Sequence, residues 1–158
     1  MLSKTRGDYI SNRAWFTDVI SGEDVILRCT SALEYLQLFV GYMREKEIDV
    51  YAKTKGIYEN INYHIVDTFD GIDYIRHGDI LCSSVNQAVN DMFDDFDNAD
   101  RQALVQALSN YYYANNESFV GLNIKPENIL HLNYNPSRPV DDQIDEAKEL
   151  INEFIDKI

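Results

Sequence analysis

At 158 residues, with 45% hydrophobic and 12% aromatic side chains and only 7 Gly and 3 Pro, the chain has the length of one domain and the profile of a packed globule, which sets aside a disordered or low-complexity protein. The formal net charge of −13 is uneven: residues 1–70 carry 11 acidic and 8 basic side chains, whereas residues 71–158 carry 16 and 6. A surface of that sign repels a polyanion at low salt, so nucleic acid is not an expected partner.

In chain order, residues 11–20 place Trp15, Phe16, Val19 and Ile20 at helical spacing, with Ser21-Gly22 as the stop. Val25-Ile26-Leu27 reads as a buried strand. Ser31-Ala32-Leu33-Glu34 has the pattern of a capping box, and it predicts a helix with Leu33, Leu36, Leu38 or Phe39, and Val40 on its apolar face, closed or bent at Gly41. From Ile48 the period falls to two. Ile48, Val50 and Ala52 alternate with polar or aromatic neighbours, as do Ile61, Tyr63 and Ile65, and both runs predict strands. Asp70-Gly71 and Gly78-Asp79 are turn signals around a further strand through Tyr74 and Arg76, and Ile80-Leu81-Cys82 ends the block. The centre therefore predicts a small, mainly antiparallel sheet.

Ser84-Val85-Asn86-Gln87 is a second capping-box pattern. It opens a helix whose apolar face, Val85, Ala88, Val89, Met92, Phe93 and Phe96, is expected to pack on the sheet. After a break at Asp97-Asn98-Ala99-Asp100, Leu104, Val105, Leu108, Tyr111 and Tyr112 predict another helix with acidic residues in its first turn, the two forming a hairpin. Pro126 would begin a short helix, residues 133–139 read as a linker, and residues 139–158 predict an amphipathic C-terminal helix through Ile144, Ile151 and Phe154. The expected whole is one α+β domain, residues 1–158, with the small sheet packed against several helices.

Sites with defined spacing are mostly missing. None of G-x-S-x-G, G-x-x-x-x-G-K-S or H-E-x-x-H occurs. An EF-hand loop begun at Asp95 would need Gly at position 100 and Glu at position 106, where Asp100 and Gln106 stand. His64, His77 and His131 lack ligand spacing with either cysteine, and Cys29 and Cys82, both in apolar runs that read as strand, are expected as buried free thiols. No catalytic, metal or cofactor site is expected. The one enzymatic alternative is a metal gathered by Asp67, Asp70 and Asp73 near the strand turn. The opening eight residues lack the apolar core of a signal peptide and no stretch has the length to cross a bilayer, so a cytoplasmic protein without a membrane partner is expected. Tyr111, Tyr112 and Tyr113 cannot all face one core at helical spacing, and with the acidic Asp94, Asp95 and Asp97 they form the candidate partner surface.

The order helix, Ser31-Ala32-Leu33-Glu34-Tyr35-Leu36, strands, then Ser84-Val85-Asn86-Gln87-Ala88-Val89-Asn90-Asp91 and a second helix resembles the C-terminal domain of AbiEi-type antitoxins. Residues 30–36 look like that family's first helix motif and residues 84–91 like its second, within a similarity spanning about residues 25–120. The resemblance implies a non-catalytic antitoxin of the type IV kind, acting against a nucleotidyltransferase toxin in a bacterial phage-defence or abortive-infection system. The family's N-terminal winged helix is not expected here, because fewer than about 30 residues precede Thr30, and Gln87 or Ala88 stands near the place of the family's arginine. An accessory protein that forms a homodimer through the C-terminal helix is the remaining reading.

Overall fold

The computed structural model describes residues 9–41, 47–95, 97–116 and 121–123. In chain order these form α1 (Asn12–Ile20), β1 (Val25–Leu27), α2 (Cys29–Tyr35), β2 (Ile48–Ala52), β3 (Ile61–Ile65), β4 (Tyr74–His77), β5 (Ile80–Ser83), α3 (Val85–Asp94) and α4 (Arg101–Ala114). Helices with one five-stranded sheet make the fold α+β, as the sequence predicts. The chain divides into two compact units, Met1–Ala88 and Val89–Ile158, and the sheet belongs wholly to the first.

The sheet runs β3-β2-β1-β5-β4. It is mixed and not mainly antiparallel: β1 is antiparallel to β2 and β4 to β5, but β1 is parallel to β5 and β2 to β3. Alternation fixes which face a side chain takes and is blind to strand direction, so the sequence pattern carries no sign for the parallel pairs. Register turns that alternation into two faces. Tyr51, Ile26 and Leu81 are paired across β2, β1 and β5, and Val66, Phe69 and Ile72 from the β3–β4 connection pack over them. One residue along, Val50, Leu27 and Cys82 form the row on the opposite face, all fully buried. There the Cys82 Sγ lies 3.7 Å from the Ala32 carbonyl of α2. Fully burying one aliphatic side chain of this kind is worth roughly 1.5–3 kcal/mol, so both rows contribute to holding β1 in place.

α1 begins at Ser11, whose Oγ accepts from the Ala14 backbone N–H at 3.0 Å, and it buries Trp15, Phe16, Val19 and Ile20 as the spacing predicts. α2 departs from expectation at both ends. Ser31 lies inside the helix and not at its cap; its Oγ accepts instead from the Asp49 N–H at 2.9 Å, tying α2 to β2, and Glu34 accepts from Asn12 Nδ2 at 2.8 Å. The helix ends at Tyr35 rather than near Gly41, because Gln37 turns left-handed (φ 64°). Gln37 N–H then bonds the Glu34 carbonyl at 3.0 Å and Leu38 N–H the Leu33 carbonyl at 2.9 Å. That pair of bonds is a Schellman closure built on a residue other than glycine.

Ser84 does cap α3: its Oγ accepts from Gln87 N–H at 3.1 Å. The Gln87 side chain, however, accepts from Asp73 N–H at 3.0 Å, while Ser84 N–H donates to the Asp73 carbonyl at 2.9 Å. The box thus holds the approach to β4 as well as the helix start. Ala88, Val89, Met92 and Phe93 are buried as predicted, whereas Val85, at the first turn, is only half-buried. Asp100 caps α4 by accepting from Ala103 N–H at 3.0 Å, which places it at the N-cap and leaves the first turn without acidic residues. The predicted elements at Pro126, residues 133–139 and the C-terminal helix 139–158 lie outside the described residues, as does Phe96.

Because a left-handed glutamine is strained where glycine is not, Gln37→Gly is expected to stabilise the fold by about 0.5–1 kcal/mol. Thermal unfolding checks this, with a rise in Tm of about 1–4 °C expected.

Candidate functional site

α4 spreads the three tyrosines around its last turn. Tyr111 and Tyr112 are half-buried, Tyr113 is 55% exposed, and the Tyr112 and Tyr113 rings meet edge-on with centroids 5.3 Å apart. Asp94, Asp95 and Asp97 are all exposed at the opposite end of the helix. Asp95 accepts from Asn98 Nδ2 at 2.8 Å and Asp97 faces Arg101 at 3.4 Å. Roughly 15 Å of helix axis separates Arg101 from Tyr111. Aromatic and acidic candidates therefore form two patches and not one.

The first unit brings together side chains that no local pattern in the sequence groups. Arg28 follows β1 and contacts both carboxylate oxygens of Asp49 on β2 through Nη1, at 3.1 and 3.2 Å. Its guanidinium also lies 4.8 Å from the centre of the Tyr51 ring, which His64 meets edge-on at a centroid distance of 5.3 Å. Burial pushes the Asp49 carboxyl up, against the pull of Arg28. Burial likewise works against the Arg28 charge, but Cys29, Asp49 and Tyr51 together outweigh it and hold the guanidinium above its ordinary pKa. The pair is therefore an ion pair held at the edge of the core.

A second group joins α1, α2 and β4. Arg13 Nε donates to the Tyr35 carbonyl at 2.8 Å and its guanidinium sits 4.5 Å above the Tyr35 ring, while Tyr35 Oη and His77 Nδ1 share a hydrogen bond of 2.8 Å. Burial raises the Tyr35 phenol. Arg13 also lines a cleft of about 570 Å³ with the buried, hydrogen-bonded Asn12 and Glu34 at its base and Ile10, Phe39 and Val40 around it. Sequence separations of 22 and 42 residues explain why no local motif announced this grouping.

The two cysteines differ. Cys82 is a fully buried β5 residue, as predicted, and burial pushes its thiol up to about 12. Cys29 is not in a strand but opens α2, partly exposed and left-handed (φ 48°), because Arg28 alone separates it from the end of β1. A thiol without a thiolate is a poor nucleophile, so Cys82 has no means of attack at neutral pH. Among the described residues no group of three or more His, Cys, Asp or Glu side chains is placed to hold a metal ion, and Asp67, Asp70 and Asp73 form no such cluster. No helix of the described residues is long and apolar enough to cross a membrane.

No family model, no curated protein and no solved structure matches the chain. The described residues thus include two cation–tyrosine–histidine groups, a cleft with a polar base, and the acidic turn between α3 and α4.

At pH 8 a disulfide reagent such as Ellman's is expected to titrate Cys29 within minutes and Cys82 only after guanidinium unfolding; two thiols reacting at equal rates in the folded chain would contradict the burial of Cys82. The same burial sets a pH slope. With its folded pKa raised above the usual 9.0, Cys82 keeps a proton that the unfolded chain has lost, so stability falls as pH rises from 9 towards 12. Cys82→Ala is expected to lose that part of the alkaline slope, read from Tm against pH.

Proposed function

We propose that this chain is a non-catalytic protein like the AbiEi-type antitoxins, that it works in the cytoplasm by binding a partner, and that the partner is a nucleotidyltransferase toxin of a phage-defence system. The observation that carries the reading is the turn between α3 and α4, where Asp94, Asp95, Asp97 and Asp100 all stand exposed. A concentrated acidic patch complements the basic surface of a protein that handles nucleotides or RNA, and complementary charge speeds encounter more than it tightens the final complex. Two further features support it. The stretch 84–91, which resembles the family's second motif, forms a helix start fixed by Ser84. Tyr113 offers an exposed aromatic ring of the kind enriched in contact surfaces.

The direct experiment is growth of cells expressing a neighbouring nucleotidyltransferase-like toxin with and without this chain. Rescue is expected, and undiminished toxicity in the presence of soluble, folded protein would overturn the reading. Replacing Asp94, Asp95 and Asp97 together with Asn is expected to slow association with that toxin about tenfold at low salt. The difference should shrink in high salt, where exposed charges are screened beyond about 3 Å.

A further inference from the structure

The end of α1 and the start of β3 enclose a recess of about 310 Å³, at the small end of the range for ligand pockets. Its base is apolar, from Val19 and Ile20 of α1 and Ile61 of β3, all buried. Tyr58 and Tyr63 line it together with Gly56, and Glu23 and Asp24 stand at its border with Ile57, which is 63% exposed. Each part follows from local structure. Gly22 turns left-handed after α1 (φ 75°) and Glu23 N–H bonds the Ile20 carbonyl at 2.9 Å, which sets the two carboxylates beside the helix end. Opposite them, residues 53–60 carry the chain back to begin β3 parallel to β2, and Gly56 lies so close to the Tyr63 ring that a Cβ there would overlap it.

We propose that this recess binds a methylated ammonium group. Two tyrosines and two carboxylates around an apolar base favour a cation that is bulky and weakly hydrated. A ring face attracts positive charge within about 6 Å, and an apolar floor receives methyl groups without the cost of stripping water from a compact –NH₃⁺. The electrostatics of the recess agree: burial raises the Tyr63 phenol, and the negative charge of Glu23 adds to it. Asp24 already meets Lys53 at 3.4 Å, with both side chains largely exposed, so Glu23 is the carboxylate that faces the ligand with least competition. The ligand is either a free quaternary amine or a trimethylated lysine side chain presented by another polypeptide, since both offer the same head group. The inference stands apart from the antitoxin reading, and neither depends on the other.

The test is an amide chemical-shift titration of the full chain with choline, with 3,3-dimethylbutan-1-ol as its uncharged isostere, and with a short peptide carrying trimethyl-lysine. Saturable shifts at Glu23, Gly56 and Tyr63 are expected with choline at about tenfold lower concentration than with the alcohol. Glu23→Gln, at an exposed position, is expected to weaken choline binding about fivefold with Tm unchanged. Tyr58→Leu should abolish the preference for choline over the alcohol. If the peptide saturates the same residues well below choline, the natural source is a modified polypeptide; if choline is the tighter, it is a free amine. Equal response to choline and alcohol, linear shifts without saturation, or indifference to Glu23→Gln would overturn the proposal.

Discussion

Everything in the first unit hangs on a strand of three residues. β1 is the central strand of the five, with β2 antiparallel to it on one side and β5 parallel to it on the other. Ile26 supplies the middle of the row beneath Val66, Phe69 and Ile72, and Leu27 supplies the middle of the row on the opposite face. Neither residue retains any exposed surface. The chain then has only Arg28 in which to leave the strand before α2 begins. That single-residue turn accounts for the left-handed Cys29 and places Arg28 beside Asp49 and Tyr51.

From this constraint the polar groups fall into place. Ser31, one turn into α2, reaches the Asp49 backbone while the Asp49 side chain holds Arg28, so strand, helix and neighbouring strand are tied at one point. A part-buried ion pair of this kind adds little net stability, because desolvation offsets much of the attraction, yet losing either member leaves the other buried without its charge partner. The pair thus favours one arrangement of β1 and β2 over others more than it deepens the well. The second unit carries its charge differently, in exposed carboxylates before α4, where each group faces solvent and its field extends outward from the surface.

Much of the fold was legible because local periodicity decides it. Trp15, Phe16, Val19 and Ile20 read as one helix face, and Ile48, Val50 and Ala52 as a strand; both readings match the structure. What remained hidden depends on partners distant in sequence. Ser31 has the spacing of a helix cap, but β2 brings the Asp49 N–H within reach and the serine bonds there instead. The end of α2 carries no glycine signal, since Gln37 takes the left-handed position that Gly41 was expected to supply. The groups Arg13–Tyr35–His77 and Arg28–Asp49–Tyr51 are products of tertiary pairing, and no motif of fixed spacing encodes them. At the candidate surface, helical spacing shows that the three tyrosines cannot share one environment, and α4 leaves Tyr111 and Tyr112 half-buried and Tyr113 exposed; it did not show that α4 sets them a helix length from the aspartates.

Native-state hydrogen exchange tests the central role of β1 most directly. With paired strands on both sides and no exposed side chain, the Ile26 and Leu27 amides are expected to exchange only through global unfolding, with protection tracking the full unfolding free energy as denaturant is raised. The amides of β4, an edge strand whose four residues are all exposed, should open at a fraction of that energy. Exchange of Ile26 and Leu27 as fast as that of Tyr74–His77 would contradict the account, because the sheet would then not be organised around β1.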